Sequence, residues 1–362
     1  MTYAVVSDIH AHAWSVFSTV TADGINSRLA ETLAELERAA NEVLAAGGRV
    51  LIVAGDIFHV RGTIDPEVLN PLQDCIKRIL DKGVLIYAIP GNHDLKSKET
   101  SRLSSAVETL SNTSSTAGQF VVVNACEFHD LDGQLIGFVP WRSNVNDLLA
   151  DLDFLAAHGD KSNMDVFIHA GIDGVLPNMP AHGLTDVALA KFGFRHVFAG
   201  HYHNHKQLSG GVVSIGATTH HNWGDVGSKA GFLLVDDSGQ VKWFDTQAPK
   251  FIDITGMDED DIPLACPGNY VRFSGPSMTV ADINALRAQL MALGAKGVQI
   301  VAPKSVVSAR PTSAAPKATS LDQSVLTFVD GSKDIPPHVD REAVKRRAAE
   351  VLNEARTVFE EA

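Results

Sequence analysis

Cysteine is nearly absent. The 362-residue chain has three, Cys75, Cys126 and Cys266, odd in number and far apart. They suit neither a disulfide framework nor a thiolate zinc site, and they fit a reducing cytoplasm. Long apolar runs are missing too: the hydrophobic stretches are short and end in polar residues, well under the roughly 18 residues of a membrane span. The opening MTYAVVSD has neither the basic flank nor the apolar core of a secretory signal, so a cytoplasmic protein is expected. No GxxxxGK loop occurs, so any ATP dependence would come from a partner, and no internal repeat is found. Basic charge is scarce: 30 Lys and Arg face 43 Asp and Glu, for a net charge of −13. That excludes a nonspecific polycationic grip on nucleic acid. It leaves room for an enzyme whose bound divalent cations supply the positive charge, helped by a local patch, a second copy or a partner. At 45% hydrophobic and 20% charged, the chain reads as globular and long enough for more than one domain.

Histidine is abundant, with fifteen copies, and its placement is informative. The organising stretch is residues 50–59, VLIVAGDIFH, a run of core residues that stops at Gly55-Asp56 and then His59. A carboxylate at the tip of a buried strand is poor packing material and a good metal ligand. Four other strand-like runs end alike. Residues 3–6 lead into Asp8 and His10, and residues 84–89 into Gly91-Asn92-His93-Asp94. Residues 166–168 lead into His169, and residues 197–199 into Gly200-His201-Tyr202-His203.

Between these runs the spacing predicts helices over 27–46, with Ser27 as N-cap and Gly47-Gly48 as the stop, and over 65–81. The β-α-β-α-β alternation implies parallel strands, whose C-terminal ends gather along one edge where ligands bind. Residues 120–124 and 134–139 are expected to pair as a hairpin around 130–133. Helices are expected at 145–157 and 187–192, and strands at 211–215, 231–235 and 241–244 as a second, antiparallel sheet. The fold class is therefore α/β, a two-sheet sandwich with helices outside. Past Pro249 the pattern changes to β-β-α-β, with strands at 251–254, 270–273 and 298–301 and a helix at 280–292. Residues 304–320, rich in Ser, Ala, Pro and Thr, read as a linker, and 321–331 as one short ordered element. A final helix starts near Asp340, with Val344, Ala348, Val351, Leu352, Ala355, Val358 and Phe359 in one stripe. The expected domains are 1–248, 249–303, a linker at 304–334 and a C-terminal helix at 335–362.

The candidate ligands are Asp8, His10, Asp56, Asn92, His169, His201 and His203. Imidazole, carboxylate and amide oxygen together suit Mn²⁺, Fe²⁺ or Zn²⁺ better than Mg²⁺ or Ca²⁺. Asp56 is read as the carboxylate shared by two divalent ions, which would clamp a phosphate and acidify a water for in-line attack on phosphorus. His93 is placed to protonate the leaving oxygen or stabilise its charge, with Asp94 orienting it. Singly, these residues have ordinary explanations: Asp56 a carboxylate on backbone amides, Asn92 a turn residue, His169 a core histidine. Five such sites, each at a strand end, make that explanation weak for the set. His59 either caps its loop or faces the substrate. His12, His129, His182, His196, His205, His220 and His221 are expected at surface, turn or substrate-adjacent places.

As a set, Asp8-Ile9-His10, Gly55-Asp56…His59, Gly91-Asn92-His93-Asp94, His169 and Gly200-His201-Tyr202-His203 resemble the five motifs of calcineurin-like metallophosphoesterases, over roughly residues 1–245. The resemblance implies one metal on Asp8, His10, Asp56 and His203 and a second on Asp56, Asn92, His169 and His201, with His93 as catalytic histidine. Gly55-Asp56-Ile57-Phe58-His59 resembles the GDxFH form of SbcD-type DNA repair and recombination nucleases, bacterial or phage, in which the histidine matching His59 bears on exonuclease activity. That resemblance implies a Mn²⁺-dependent exonuclease and endonuclease subunit, a DNA-capping domain at 249–303, a C-terminal helix docking on an SbcC-type SMC-like ATPase, and a homodimer through residues 65–110. The rival readings are a stand-alone small-molecule or cyclic-nucleotide phosphodiesterase, which has little use for residues 246–362, and a scaffold that merely carries the fold, against which the complete ligand set speaks.

Overall fold

The structure, a computed structural model, describes residues 1–97, 99–177, 179–303, 321–332, 335–336 and 339–360. The chain divides into two compact units, Met1–Ser305 and Val306–Ala362. In the first the elements run β1 (Tyr3–Val6), α1 (Ser27–Ala45), β2 (Val50–Ala54), α2 (Pro66–Asp81), β3 (Leu85–Ile89), β4 (Gln119–Val122), β5 (Glu127–Leu131), β6 (Gln134–Val139), α3 (Val145–His158), β7 (Met164–His169), α4 (Asp186–Ala190), β8 (His196–Gly200), β9 (Lys206–Gln207), β10 (Val212–Ser214), β11 (Gly231–Val235), β12 (Val241–Asp245), β13 (Phe251–Asp253), α5 (Ile262–Ala265), β14 (Tyr270–Ser274), α6 (Val280–Ala292) and β15 (Gly297–Val301).

Every residue of β1 and β2 is buried. Successive side chains of a strand point to opposite faces, and here both faces are covered. Ala4, Val6, Leu51 and Val53 pack with Leu33 and Leu36 of α1 and Leu72 and Ile76 of α2. Tyr3, Val5, Val50 and Ile52 face the other way, against Ile136, Phe138, Phe167 and Phe198 of a second sheet. On that sheet's far side, Val166, Ile168 and Val197 pack with Leu148, Leu152 and Leu155 of α3. The layers are therefore helix, sheet, sheet, helix. Phe167 and Phe198 stack at 4.9 Å in the middle layer, where truncating either to Ala would cost about 3–5 kcal/mol.

Both large sheets are mixed. The first has the order β12-β11-β1-β2-β3-β4 and the second β5-β6-β7-β8-β10-β9. β1, β2, β3 and β4 are mutually parallel, as are β6, β7, β8 and β10. Two pairings differ from expectation. The hairpin forms between β5 and β6, with Leu131 facing Gln134, while β4 lies parallel to β3, where Phe120 joins the layer under α1 and α2. No separate antiparallel sheet forms from 211–215, 231–235 and 241–244. β10 runs beside β8, and β11 returns antiparallel to β1. β11 is apolar on both faces, and this position covers both: Phe232 goes to the helix side, Leu233 and Val235 to the inter-sheet side.

Helix caps follow local chemistry. Asn26 rather than Ser27 caps α1, accepting from the amides of Arg28 and Leu29; the Ser27 hydroxyl instead takes the Thr19 amide. Asp65 caps α2, and Pro66 occupies its first turn.

A third sheet, β13-β14-β15, is all parallel. With α6 it encloses its own apolar cluster, including Ile254, Val271, Leu290 and Val298. It meets the sandwich through the loop after β1, where Phe17 stacks on Tyr270 at 5.1 Å. The second unit holds α7 (Leu321–Gly331) and α8 (Arg341–Glu360), joined by Lys345 on Asp330 at 2.5 Å and by Arg341 on the Val329 and Ser332 carbonyls. The expected linker segment 304–320 lies outside the described residues, as do the side chains of 353–360, which carry part of the α8 stripe. Among the described residues no helix is long and apolar enough to cross a membrane.

Candidate metal centre

The five motifs follow the C-terminal ends of β1, β2 and β3 in one sheet and close β7 and β8 in the other. Parallel pairing aligns those ends, and the His169 ring ties the two sheets together by donating from Nδ1 to the Ala54 carbonyl at 2.7 Å. That bond fixes the tautomer and leaves Nε2 free. Of six non-glycine residues with positive φ among the described residues, four are candidate ligands: Asp8 (50°), His10 (45°), Asp56 (53°) and His201 (93°). The left-handed turn at each strand end swings its side chain back toward the shared edge. Close approach also demands glycine. A Cβ on Gly55 (φ 96°) would sit 2.2 Å from His169 Nδ1, and one on Gly91 would sit 2.3 Å from Asp56 Oδ1.

Two sets of donor atoms converge. Around His10 Nε2 lie His203 Nε2 at 3.3 Å, Asp56 Oδ2 at 3.6 Å and Asp8 Oδ1 at 4.0 Å. On the other side, His169 Nε2 lies 3.4 Å from the same Asp56 Oδ2 and 3.3 Å from Asn92 Oδ1, which is 2.9 Å from His201 Nδ1. All seven predicted ligands are thus brought together, with Asp56 Oδ2 common to both sets. Asp8 Oδ2 accepts from the Ser7 hydroxyl and the His201 amide, but Asp8 Oδ1 is buried and has no hydrogen-bond partner. An orphaned buried carboxylate oxygen is costly unless something cationic completes it. The facing imidazole nitrogens of His10 and His203, 3.3 Å apart, can both be satisfied by one cation between them. The residues present fit a pair of divalent cations.

The electrostatics agree. Burial pushes His10 down and His201 down to about 4, so both imidazoles are neutral, as ligands must be. Burial opposes ionisation of Asp56, yet the charge and hydrogen bond of His169, with His10 and His93, hold it below the usual carboxylate range. Burial lowers His169, but the charge and hydrogen bond of Asp56, with the charge of Asp8, raise it, so a cation at its Nε2 binds in place of a proton.

His93 and His59 stand beside this cluster. The His93 amide donates to Asp56 Oδ1 at 2.8 Å, and its ring Nδ1 donates to the His59 carbonyl at 2.6 Å. The His59 ring reaches within 3.4 Å of His10 Nδ1 and stacks on His93 at 5.6 Å; burial, with His12 next, lowers it to about 4. Asp94 does not orient the His93 ring. Its carboxylate accepts from the Phe58 and Gly91 amides at 2.9 Å and from Ile57 at 3.3 Å, and so clamps the β2 and β3 loops to each other. Burial and then the Asp56 charge push it up, against those amides.

Three of the histidines expected at surface, turn or substrate-adjacent places are buried, and one of them, His221, adjoins the cluster. His205 donates to the Ser214 carbonyl and stacks on Trp243. His220 bridges the Ser228 carbonyl and the Phe251 amide. His221 lies 5.0 Å from both His10 and His203, held by the Asp8 carbonyl at 3.0 Å, and with those two forms one group able to hold a metal; burial and then His203 lower it to about 3. Asp225 was also missed as a site residue. It accepts from His203 Nδ1 at 2.8 Å with one oxygen and from the His221 and Asn222 amides with the other. Burial lowers His203, but that bond together with the charges of Asp8, Asp225 and Asp56 holds it up. The capping box of Asn222 and Asp225 was one available sequence signal, and the likeness of residues 221–225 to the stretch after the last metal motif of SbcD-type nucleases was another.

The calcineurin-like phosphoesterase pattern matches residues 1–205. Over 189 residues the chain is 25% identical to exonuclease subunit 1 of Enterobacteria phage T4, a match covering 50% of this chain and 51% of that protein, so the chain spans about half the length of this curated relative. Among solved structures it is similar to a dimetal phosphatase from Danio rerio, with 10% identity, a TM-score of 0.40, and coverage of 65% of this chain and 91% of that one.

Proposed function

The chain belongs to the calcineurin-like phosphoesterase family, and from that premise we propose that this phosphoester hydrolase is the DNA exonuclease and endonuclease subunit of an SbcC–SbcD-like repair or recombination complex. The observation that carries the hydrolase reading is the pair of donor sets sharing Asp56 Oδ2. Similarity to a phage exonuclease subunit supports DNA over a small phosphodiester.

In this reading Asp8, His10, Asp56 and His203 hold one ion, and Asp56, Asn92, His169 and His201 the other, with Mn²⁺ foremost. Two such ions, when bound, polarise the phosphoryl group and acidify a water. The protein supplies the rest. Asp225 keeps the His203 proton on Nδ1, so that Nε2 is the ligating nitrogen. The His59 carbonyl commits His93 Nδ1, leaving Nε2 to meet the leaving oxygen and, from the imidazolium, to protonate it. His59 thereby positions the catalytic histidine, and Asp94 holds the two loops in register. Residues 249–303 cap the DNA, 304–334 link, and 335–362 dock on an SMC-like ATPase; the chain works as a homodimer.

The test is cleavage of end-labelled linear duplex DNA with Mn²⁺, beside His93→Ala. Wild type degrades the DNA from an end and the variant does not. Wild type that hydrolyses a small or cyclic phosphodiester but spares DNA, even with its ATPase, would establish the rival reading. Removing 335–362 should abolish ATPase binding in pull-down and spare Mn²⁺-dependent hydrolysis; undiminished binding refutes the docking helix.

A further inference from the structure

Next to the metal centre lies a cavity of about 460 Å³, lined by Arg61, Asn92, Leu95, Lys96, Ser97, Trp141 and Ser143. That volume is in the range of small-molecule sites. It opens directly on the centre, since Asn92 Oδ1 is one of the converging donors. Its chemistry differs from that of the chain as a whole. The protein carries a net charge of −13, yet this wall holds two cations and no carboxylate. Arg61 and Lys96 are both exposed, and their side chains make no ion pair or hydrogen bond among the described residues. Charges left unpaired beside a phosphoryl-transfer centre are suited to a phosphate.

The third feature is Trp141. Its backbone is pinned on both sides: its amide donates to the Pro90 carbonyl at 3.0 Å, and its carbonyl accepts from the Thr100 hydroxyl at 2.7 Å. The indole packs beside His201, with ring centroids 5.4 Å apart, and remains partly exposed where it lines the cavity. An aromatic ring on a pinned backbone, lining the same cavity as two unpaired cations, is the pairing that single-stranded nucleic acid recognises, base on ring and phosphate on cation.

Resting on the nuclease reading above, we infer that this cavity is a nucleotide subsite. The nucleotide adjoining the scissile phosphate is held with its base stacked on Trp141 and its far phosphate on Arg61 and Lys96. The face of a base is covered inside a duplex, so the nucleotide bound here is unpaired. The substrate is then a single strand or a frayed end, and a duplex must open before its terminal nucleotide fits.

The test uses the full chain with Mn²⁺ and two substrates, a short thymidine oligomer and the same oligomer made abasic. Arg61→Ala and Lys96→Ala should each raise KM for both without lowering kcat. Each should also flatten the salt dependence, by about 0.7 in log–log slope for every phosphate no longer neutralised. Trp141→Ala should raise KM for the thymidine oligomer by about 5- to 150-fold, the span of one base–aromatic stack. It should leave the abasic oligomer's KM in place, and Trp141→Tyr should restore the thymidine value. Equal losses on both oligomers from Trp141→Ala would mean that the indole acts only through His201, and would overturn the subsite. Cation variants that match wild type would overturn it too, with the nuclease reading intact. Wild type that hydrolyses a small phosphodiester but neither oligomer overturns both.

Discussion

Replacing Asp225 by Asn keeps shape and removes one acceptor, and the geometry dictates the consequence. One Asp225 oxygen takes two backbone donors, His221 at 2.7 Å and Asn222 at 3.0 Å. In the amide, the carbonyl oxygen must stay there, because an NH₂ group cannot accept. The NH₂ is then forced opposite His203 Nδ1, 2.8 Å away. Two donors cannot face each other, so the imidazole proton moves to Nε2. That is the nitrogen turned toward His10 Nε2 at 3.3 Å, and once protonated it cannot ligate. Loss of an orienting carboxylate behind a ligating histidine costs about 10- to 100-fold in metal affinity, or roughly 1.4–2.8 kcal/mol. Calorimetric titration of Mn²⁺ into the full chain should show one of two binding events weakened by that factor and the other, on the His169 side, little changed. Hydrolysis of bis(p-nitrophenyl) phosphate should need more Mn²⁺ for half-activation and recover at saturation. Thermal stability without metal should also fall near neutral pH, because burial opposes the Asp225 charge yet the His203 bond holds its pKa below the usual carboxylate range. Wild-type affinity at both sites in Asp225→Asn would refute this account of His203.

Gly91→Ala puts a methyl group 2.3 Å from Asp56 Oδ1 and 2.4 Å from its amide nitrogen. A displacement near 1 Å at the shared ligand should lower Mn²⁺-dependent phosphodiester hydrolysis about 100-fold, in a variant whose circular dichroism still matches wild type; unaltered kinetics would contradict the placement of Asp56. Away from the site, buried Asp165 accepts from Tyr3, Arg195 and His196. Burial opposes its charge, but those partners hold its pKa below the usual carboxylate value. A depressed carboxylate stabilises the fold at pH values above its unfolded pKa, and that stability is lost as pH falls through the folded value. In urea titrations Asp165→Asn should cost about 3 kcal/mol near neutrality, with the gap from wild type closing below about pH 4. A gap that stays constant down to acid pH would show that the Asp165 charge is not what holds β7 to β8.

Asp8, His10, Asp56, Asn92, His169, His201 and His203 were legible because each follows or ends a run that cannot be anything but buried, and a polar residue there needs a reason. The parallel core of β1, β2 and β3 was legible for the same cause, from helix-spaced segments between the runs. Asp225 and His221 were not. They arrive from a loop beyond β10, and only the three-dimensional return of β11 along β1 brings that loop under His203. Asp94 misled because adjacency to His93 in sequence suggests contact, whereas the turn sends the two side chains to different partners. Strand partners were hidden for a related reason. Residues 231–235 are apolar on both faces, which says that a strand is enclosed but not by which sheet. Trp141 carries no motif at all; it stands out only because the loops after β2 and β3 bring Arg61 and Lys96 to the cavity that it lines.

The positive φ angles at Asp8, His10, Asp56 and His201 have a bearing on how this protein can change. A left-handed conformation costs an L-residue on the order of 1 kcal/mol, and a whole domain is stable by only about 5–15 kcal/mol. Four such residues mean that the scaffold itself forgoes several kilocalories to hold its donors converged. Ions can then exchange without refolding the site, and removal of metal should leave the sandwich standing. The same arrangement makes the centre a natural place for drift toward higher stability. Glycine at Asp8 or His10 would relax the backbone and end catalysis, so a lineage that loses its substrate should decay at these positions first, gaining robustness as it loses chemistry.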